Sequence, residues 1–347
     1  MGSILRIGTR KSQLALVQAQ QVADLLRHTL GVESELIGLR TTGDRSGDLS
    51  FSEMEGSGFF TKELESAVLD GRVDLAVHSL KDLATEPSAD LRISAVLERA
   101  DPRDALLVAG QADTQADRHA DRAGTDDRAG AGDRAGASDF GELAEGATVG
   151  TSSLRRRAFL LRLRPDLSVK PLRGNVPTRI EKLHAGQYDA IILAVAGLER
   201  LGLDDHITRR LSDSDFLPAP GQGVIAVQTR ARDVPAHEIV SRLNHLETQQ
   251  AVTAERSFLR RIEGGCLAPA GALARVQGGS VRVDARVCSA DGTRTADGWA
   301  EGPAEDAAQV GEAAAERVAA AGGREILDEI RSAGGGFQAS TPGVQRG

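Results

Sequence analysis

Asp74-Leu75-Ala76-Val77-His78-Ser79-Leu80-Lys81-Asp82 is the stretch from which the fold can be read. Residues 74–80, with Leu75, Ala76 and Val77 in succession, read as a strand buried on both faces. Two charged residues end it, at the position where open α/β sheets place their ligands. Upstream, Phe60 to Leu69 has helical spacing, with Leu64 and Val68 on one face and Gly71 as a C-cap. Leu91 to Leu97 reads as a further strand. At the start of the chain, Leu5 to Gly8 is strand-like. Leu14, Val17, Val22, Leu25 and Leu26 then recur at helical spacing behind Ser12 as N-cap, and Ser34 to Arg40 is the next strand. This alternation predicts an α/β unit with a largely parallel sheet.

The chain has 347 residues, 40% hydrophobic and 27% charged, which predicts two or three domains. Aromatics are only 3%, so Leu, Val, Ile and Ala must build the cores. A net charge of -8 argues against nucleic acid as a partner, so an anion site must be a local concentration of Arg and Lys. The two cysteines, Cys266 and Cys288, form no CxxC pair and no disulfide framework, as expected in a reducing compartment. The N-terminus shows no signal-peptide pattern and no apolar run is long enough to cross a bilayer. A soluble, cytoplasmic protein without a membrane partner is expected.

Asp-Arg-Ala-Gly occurs at 121–124, 127–130 and 133–136, within a segment, 111–139, that has almost nothing to bury. A disordered surface insertion is expected, with a partner-binding arm as the alternative. A second α/β unit follows. Thr148 to Thr151 reads as a strand, Ser152 to Leu163 as a helix, Ser168 to Leu172 as a strand, Pro177 to His184 as a helix and Tyr188 to Val195 as a long buried strand. Val224 to Thr229 reads as a strand returning to the first sheet. From Glu255 the pattern becomes a small α+β unit. A helix leads to Gly264-Gly265-Cys266, strands alternate through Val281 to Val287, a turn falls at Asp291-Gly292, and a helix from about Asp306 to Arg331 is broken near Gly322-Gly323. The expected domains are 1–101 with 222–242, then 102–221, then 243–332, with 333–347 as a tail.

Several clusters could carry chemistry. Arg10 and Ser12 stand where a strand gives way to a helix, either an anion site or an ordinary cap beside a solvated Arg. Lys81-Asp82 closes the buried strand, and His78 within it reads as a core histidine. From Gly150 to Lys182 there are nine Arg or Lys residues and two Asp or Glu. Thr151, Ser152 and Ser153 open a helix whose first turns carry Arg155, Arg156 and Arg157, against the macrodipole. A bound polyanion would relieve that strain, and a ligand with several carboxylates would suit converging Arg forks; a solvated basic face is the alternative. Cys266 follows two glycines and is either an accessible thiol or a small buried hydrophobe, the reading that fits Cys288. No metal-binding pattern is visible.

The motifs fall into one order. Ile7-Gly8-Thr9-Arg10-Lys11-Ser12-Gln13-Leu14-Ala15-Leu16, Ala76-Val77-His78-Ser79-Leu80-Lys81-Asp82, Asp101-Pro102-Arg103-Asp104-Ala105 and Gly150-Thr151-Ser152-Ser153-Leu154-Arg155-Arg156 come first. Leu172-Arg173-Gly174-Asn175-Val176, Leu193-Ala194-Val195-Ala196-Gly197-Leu198, Leu217-Pro218-Ala219-Pro220-Gly221-Gln222-Gly223 and Glu263-Gly264-Gly265-Cys266 follow. Together they resemble the porphobilinogen deaminase (hydroxymethylbilane synthase) family over nearly the whole chain outside the insertion.

The resemblance implies two lobes like those of periplasmic binding proteins, with the site between them, and a small α+β C-terminal domain. It implies a monomeric transferase of tetrapyrrole and haem biosynthesis that joins four porphobilinogen molecules with loss of ammonia. The implied cofactor is dipyrromethane, held on Cys266 by a thioether. Asp82 becomes the catalytic carboxylate. Arg10, Ser12, Lys81, Thr151, Ser152, Ser153, Arg155, Arg156, Arg173, Arg179, Arg200 and Gln222 become the residues that bind cofactor and substrate. Hinges are expected near Arg99–Arg103 and Leu217–Gly223. Ser57, Pro177 and the long insertion depart from the family pattern. A solute-binding module would explain the two lobes but not Gly264-Gly265-Cys266, and a ligand-sensing regulator would need a DNA-binding domain that is not visible.

Overall fold

The computed structural model describes residues 4–39, 61–86, 88–110, 139–262 and 268–332. Cys266, Ser57, the repeats at 121–136 and the tail 333–347 lie outside the described residues. Asp139, read as the last residue of the insertion, lies inside them, and its carboxylate accepts from the Ser212 amide at 2.7 Å.

The first lobe opens with strand β1 (Leu5–Arg10), helix α1 (Gln13–Leu30) and strand β2 (Ser34–Leu39). Ser12 caps α1, and Gly31 ends it in the left-handed conformation, its N–H returning to the Arg27 and Leu26 carbonyls. Helix α2 (Lys62–Leu69), strand β3 (Leu75–Ser79), a 3₁₀ turn (Leu80–Asp82) and strand β4 (Leu91–Val96) follow. Asp70, not Gly71, is the C-cap of α2.

The second lobe holds strands β5 (Asp104–Val108) and β6 (Thr148–Gly150), helix α3 (Leu154–Leu163), strand β7 (Ser168–Lys170), helix α4 (Val176–His184), strand β8 (Ala190–Ala194), helix α5 (Val195–Arg200) and strand β9 (Arg209–Arg210). Two expectations need correction, and one strand was not expected. Ser152 and Ser153 precede α3, because Ser153 is its cap. The expected long strand 188–195 is shorter, and its last residue opens α5. The sequence reading missed β5, whose Asp104-Ala105-Leu106-Leu107-Val108 starts on a buried carboxylate.

Strand β10 (Ile225–Arg230) returns to the first sheet as expected, and helix α6 (Val234–Val240) follows it. The third unit contains helix α7 (Leu246–Arg261), strands β11 (Ala270–Gln277), β12 (Ser280–Cys288) and β13 (Thr295–Pro303), and helices α8 (Ala307–Val318) and α9 (Arg324–Ser332). A π turn at Ala319–Gly323 separates the last two helices, with Gly322 in the left-handed region.

The first sheet runs β2-β1-β3-β10-β4 and the second β7-β6-β8-β5-β9. Each is largely parallel, as expected, with one antiparallel strand. β1 is parallel to β2 and β3, and β6 to β7 and β8. β10 and β5 run antiparallel to both of their neighbours. The reversed strands β10 and β5 lie outside the βαβ units of their sheets, so no crossover helix fixes their direction.

Helices cover both faces of the first sheet. Val22 and Leu26 of α1 pack on Ile7, Leu75 and Val227. Leu64 and Val68 of α2 pack on Val73 and Ala76. In the second lobe Phe159 meets Phe216 edge-on at 5.8 Å between centroids. Leu273 and Cys288 of the third unit join this same core. The β12–β13 turn then seats on α3, where a Cβ on Gly292 would collide with the Arg162 amide nitrogen.

Candidate functional site

The 3₁₀ turn at the end of β3 presents Lys81 and Asp82 toward the second lobe. The turn is closed by Leu83 N–H to the Leu80 carbonyl at 3.1 Å and tied to β10 by Leu80 N–H to the Val224 carbonyl at 2.9 Å. Asp82 is exposed, whereas Leu80 and Leu83 on either side of Lys81-Asp82 are buried. Lys81 donates to the Gln222 side-chain oxygen at 3.1 Å. Burial, and then the nearby Arg156 charge, draw the Lys81 ammonium down to about 8; Asp82 and Asp104 oppose that shift. His78 is buried and held near 4, mainly by loss of solvent, as a core histidine should be.

The Arg-rich helix is arranged differently from expectation. Arg155, Arg156 and Arg157 are buried, not a solvated face. Asp104 lies between the first two. Its Oδ2 accepts from Arg155 at 2.7 Å, and its Oδ1 accepts from Arg156 Nε at 3.0 Å and Nη2 at 2.7 Å. Arg155 also donates to the Leu217 carbonyl at 2.7 Å, and Arg156 to the Ile192 carbonyl at 3.0 Å. Burial alone would raise the Asp104 carboxyl, but the two guanidiniums overcome it and hold the group at about 2. The strain of cations at a helix N-terminus is thus relieved within the protein, where the sequence reading had invoked a bound anion.

Gln222, expected to bind cofactor or substrate, is 1% exposed and committed internally. Its amide donates to the Pro102 carbonyl at 2.8 Å and to Asp104 Oδ1 at 3.0 Å while its oxygen holds Lys81. It therefore links the cation beside Asp82 to the buried Asp104 pair. Gly223 after it has φ 86°, and a Cβ there would lie 2.6 Å from the Ala100 carbonyl oxygen.

The hydroxyls of the Thr151-Ser152-Ser153 run are spent locally. Thr151 accepts from the Ser153 amide at 3.2 Å, Ser152 bridges both backbone groups of Leu172, and Ser153 caps α3. Ser12 does the same for α1, accepting from the Ala15 amide at 3.4 Å. Arg10 is half-buried at the end of β1, close enough to His78 to lower it. Arg200 donates to the Gly223 carbonyl at 2.7 Å. Arg173 is half-buried after β7, its carbonyl accepting from Lys182 at 3.0 Å.

Arg179, on α4, donates to the Gly174 carbonyl at 2.7 Å. Burial and then Arg156 draw it down to about 10, and Asp82 on the opposite lobe opposes this. Lys81, Asp82, Arg156 and Arg179 thus act on one another across the gap between the lobes. Counting Arg155 and Asp104, four cations face two carboxylates. This surplus suits a ligand carrying several carboxylates.

Asp104, Glu255 and Arg256 had no role expected from sequence, and Arg99 was expected only at a hinge. Glu255 is fully buried on α7 and binds Arg99 through both oxygens, at 2.5 and 3.2 Å. It also accepts from the Gly221 amide at 2.7 Å and the Ala274 amide at 2.8 Å. A single carboxylate therefore joins the two crossings between the lobes to the third unit. Two adjacent arginines facing a core require a counter-charge, but the sequence does not single out Asp104 from Asp101 in the same motif. No helix among the described residues is long and apolar enough to cross a membrane.

A family model described as the porphobilinogen deaminase dipyromethane cofactor binding domain matches residues 5–238. A second, the porphobilinogen deaminase C-terminal domain, matches residues 249–320. The porphobilinogen deaminase of Geobacter sulfurreducens is 42% identical over 327 residues, covering 94% of this chain and 94% of that one. That of Geotalea uraniireducens is 39% identical over 327 residues, again 94% of each. Among solved structures, the methionine binding protein MetQ is similar over 69% of this chain and 89% of that one, at 12% identity and a TM-score of 0.41.

Proposed function

The chain belongs to the porphobilinogen deaminase family, and on that premise we propose that it joins four porphobilinogen molecules into hydroxymethylbilane, with Asp82 as catalytic carboxylate and Cys266 as cofactor anchor. The observation that carries this reading is the exposed Asp82 on its closed turn, facing a surplus of cations. A monomer working in the cytoplasm is part of the same proposal.

The side chains present fit a dipyrromethane. Lys81 and Arg179 are cations that have lost solvent, and a carboxylate beside each would offset that loss. Dipyrromethane, when bound, supplies the free pyrrole carbon from which the product grows. Arg10, Arg173 and Arg200 extend the basic surface for the acetate and propionate that each further ring brings. Arg155 serves from behind, fixing Asp104 and the Leu217 carbonyl.

The nitrogen of the substrate's aminomethyl group leaves as ammonia, breaking the carbon–nitrogen bond and leaving the methylene carbon with a positive charge spread over the incoming pyrrole; the new carbon–carbon bond forms at that methylene, and the pyrrole carbon that joins it gives up its proton. Asp82 is an acceptor for the pyrrole N–H and a fixed negative charge against that cation. Such pre-placed charge lowers a barrier most when water is excluded. The Lys81 ammonium beside it holds ligand carboxylates and keeps them from competing for the same pyrrole N–H.

Intact mass and turnover test the reading together. Active protein should weigh more than its sequence by one dipyrromethane, with the excess on Cys266. Asp82→Asn should fold, carry the group and lose nearly all turnover. An unmodified Cys266 in active protein, or normal turnover by Asp82→Asn, overturns it.

A further inference from the structure

Two adjacent side chains on α7 point to opposite tasks. Glu255 enters the crossing between the lobes. Arg256 turns to the segment just after Asp82, donating to the Leu83 carbonyl at 3.3 Å and to the Ala84 carbonyl at 2.5 Å. One helical turn earlier, Val252 packs in the cluster of Leu80, Leu83, Val96 and Val224. The spacing 252–256 puts both groups on one face of α7. The turn that carries Asp82 is therefore gripped from behind by an apolar contact and by a charged fork, both from the helix whose chain continues toward Cys266.

We propose that Arg256 is a positioning residue for Asp82, locking the Leu80–Ala84 segment to α7 so that the carboxylate keeps one place at the end of β3. The inference rests on the assignment of Asp82 as the catalytic carboxylate. A three-residue 3₁₀ turn has weak internal hydrogen bonds and little resistance to displacement. The carbonyls of Leu83 and Ala84 lie beyond its closing bond, and Arg256 engages both. An error of about 1 Å at a reacting group can cost about a hundredfold in rate. Arg256 touches neither reacting atom; its effect passes through the backbone to Asp82.

Arg256→Ala and Arg256→Lys are compared with Asp82→Asn in the cofactor-loaded protein, by intact mass, melting temperature, kcat and KM for porphobilinogen. Arg256→Ala should keep its cofactor mass and melt within a few degrees of the parent. Its kcat should fall about tenfold or more with KM within about twofold, as expected of misplacement rather than lost binding. Arg256→Lys should restore much of kcat, since an ammonium can still reach one carbonyl. If the alanine variant does not fold, Arg256→Gln takes its place with the same expectation. An unchanged kcat, a loss explained wholly by missing cofactor or a collapsed melting temperature, or a change in KM alone overturns the inference. Asp82→Asn inactive beside a normal Arg256→Ala defeats the positioning role only. A normal Asp82→Asn defeats the catalytic reading and this inference with it.

Discussion

Asp82 and Asp104 both stand at the end of a strand, one in each lobe, and both lie among cations, but their surroundings differ. Asp104 is fully buried, binds two arginines and the Gln222 amide, and is held at about 2. Asp82 is exposed, and the charges near it, Lys81 and Arg179, are drawn below their ordinary values by burial. In one cluster the arginines are already paired to a carboxylate inside the protein; in the other the cations lie beside an exposed carboxylate, with room for a ligand's. The Arg-rich stretch from 150 to 182 therefore contains two classes of arginine that look alike in sequence. Arg155 and Arg156 hold the lobe together, and Arg179 faces the gap.

The largest expected effect comes from breaking the closed cluster. Asp104→Asn leaves Arg155 and Arg156 buried without their counter-ion, which should cost about 3–5 kcal/mol. Urea or thermal unfolding measures it, and the loss should be present with or without cofactor. A variant as stable as the parent would mean that the pair is not a structural unit.

A smaller effect is expected in the open cluster. Arg179→Gln removes a cation that has lost solvent for little return, so stability should change by less than about 1 kcal/mol. The KM for porphobilinogen should instead rise about tenfold, the equivalent of one charge-assisted hydrogen bond. Large destabilisation without a KM change would place Arg179 with Arg155 and Arg156, and the contrast would fail.

The sequence made the order of strands and helices readable because apolar spacing is local. The Ser12 cap, the returning strand 225–230 and the break near Gly322 all rest on such local signals. Strand direction was not readable, since β5 and β10 take it from partners far along the chain. The site divided in the same way. Lys81 and Asp82 could be placed by the end of a buried strand. The fate of Arg155 and Arg156 depended on Asp104, about fifty positions away and unreadable as a partner until the lobe closed. Glu255 and Arg256 were invisible for the same reason, their partners lying in other units of the fold.

Lys81 gives the smallest effect and the sharpest distinction. Its value in the folded protein, about 8, lies below the 10.5 of the free side chain. Between those two pH values the unfolded chain binds more protons than the folded one, so this residue makes stability rise as the pH rises. Ligand binding should move the opposite way, because a carboxylate needs the charged ammonium. In protein prepared without cofactor, loading from porphobilinogen should slow severalfold as the pH rises through about 8, while resistance to urea improves slightly over the same range. Lys81→Met should remove both trends. If the decline in loading persists in that variant, the titrating group is another one, and the open cluster owes its affinity to its arginines alone. Asp104 offers no such signal there, since it stays ionised far below that pH. A cluster that has found its counter-ion is silent near neutrality, and one that has not reports when its ligand arrives.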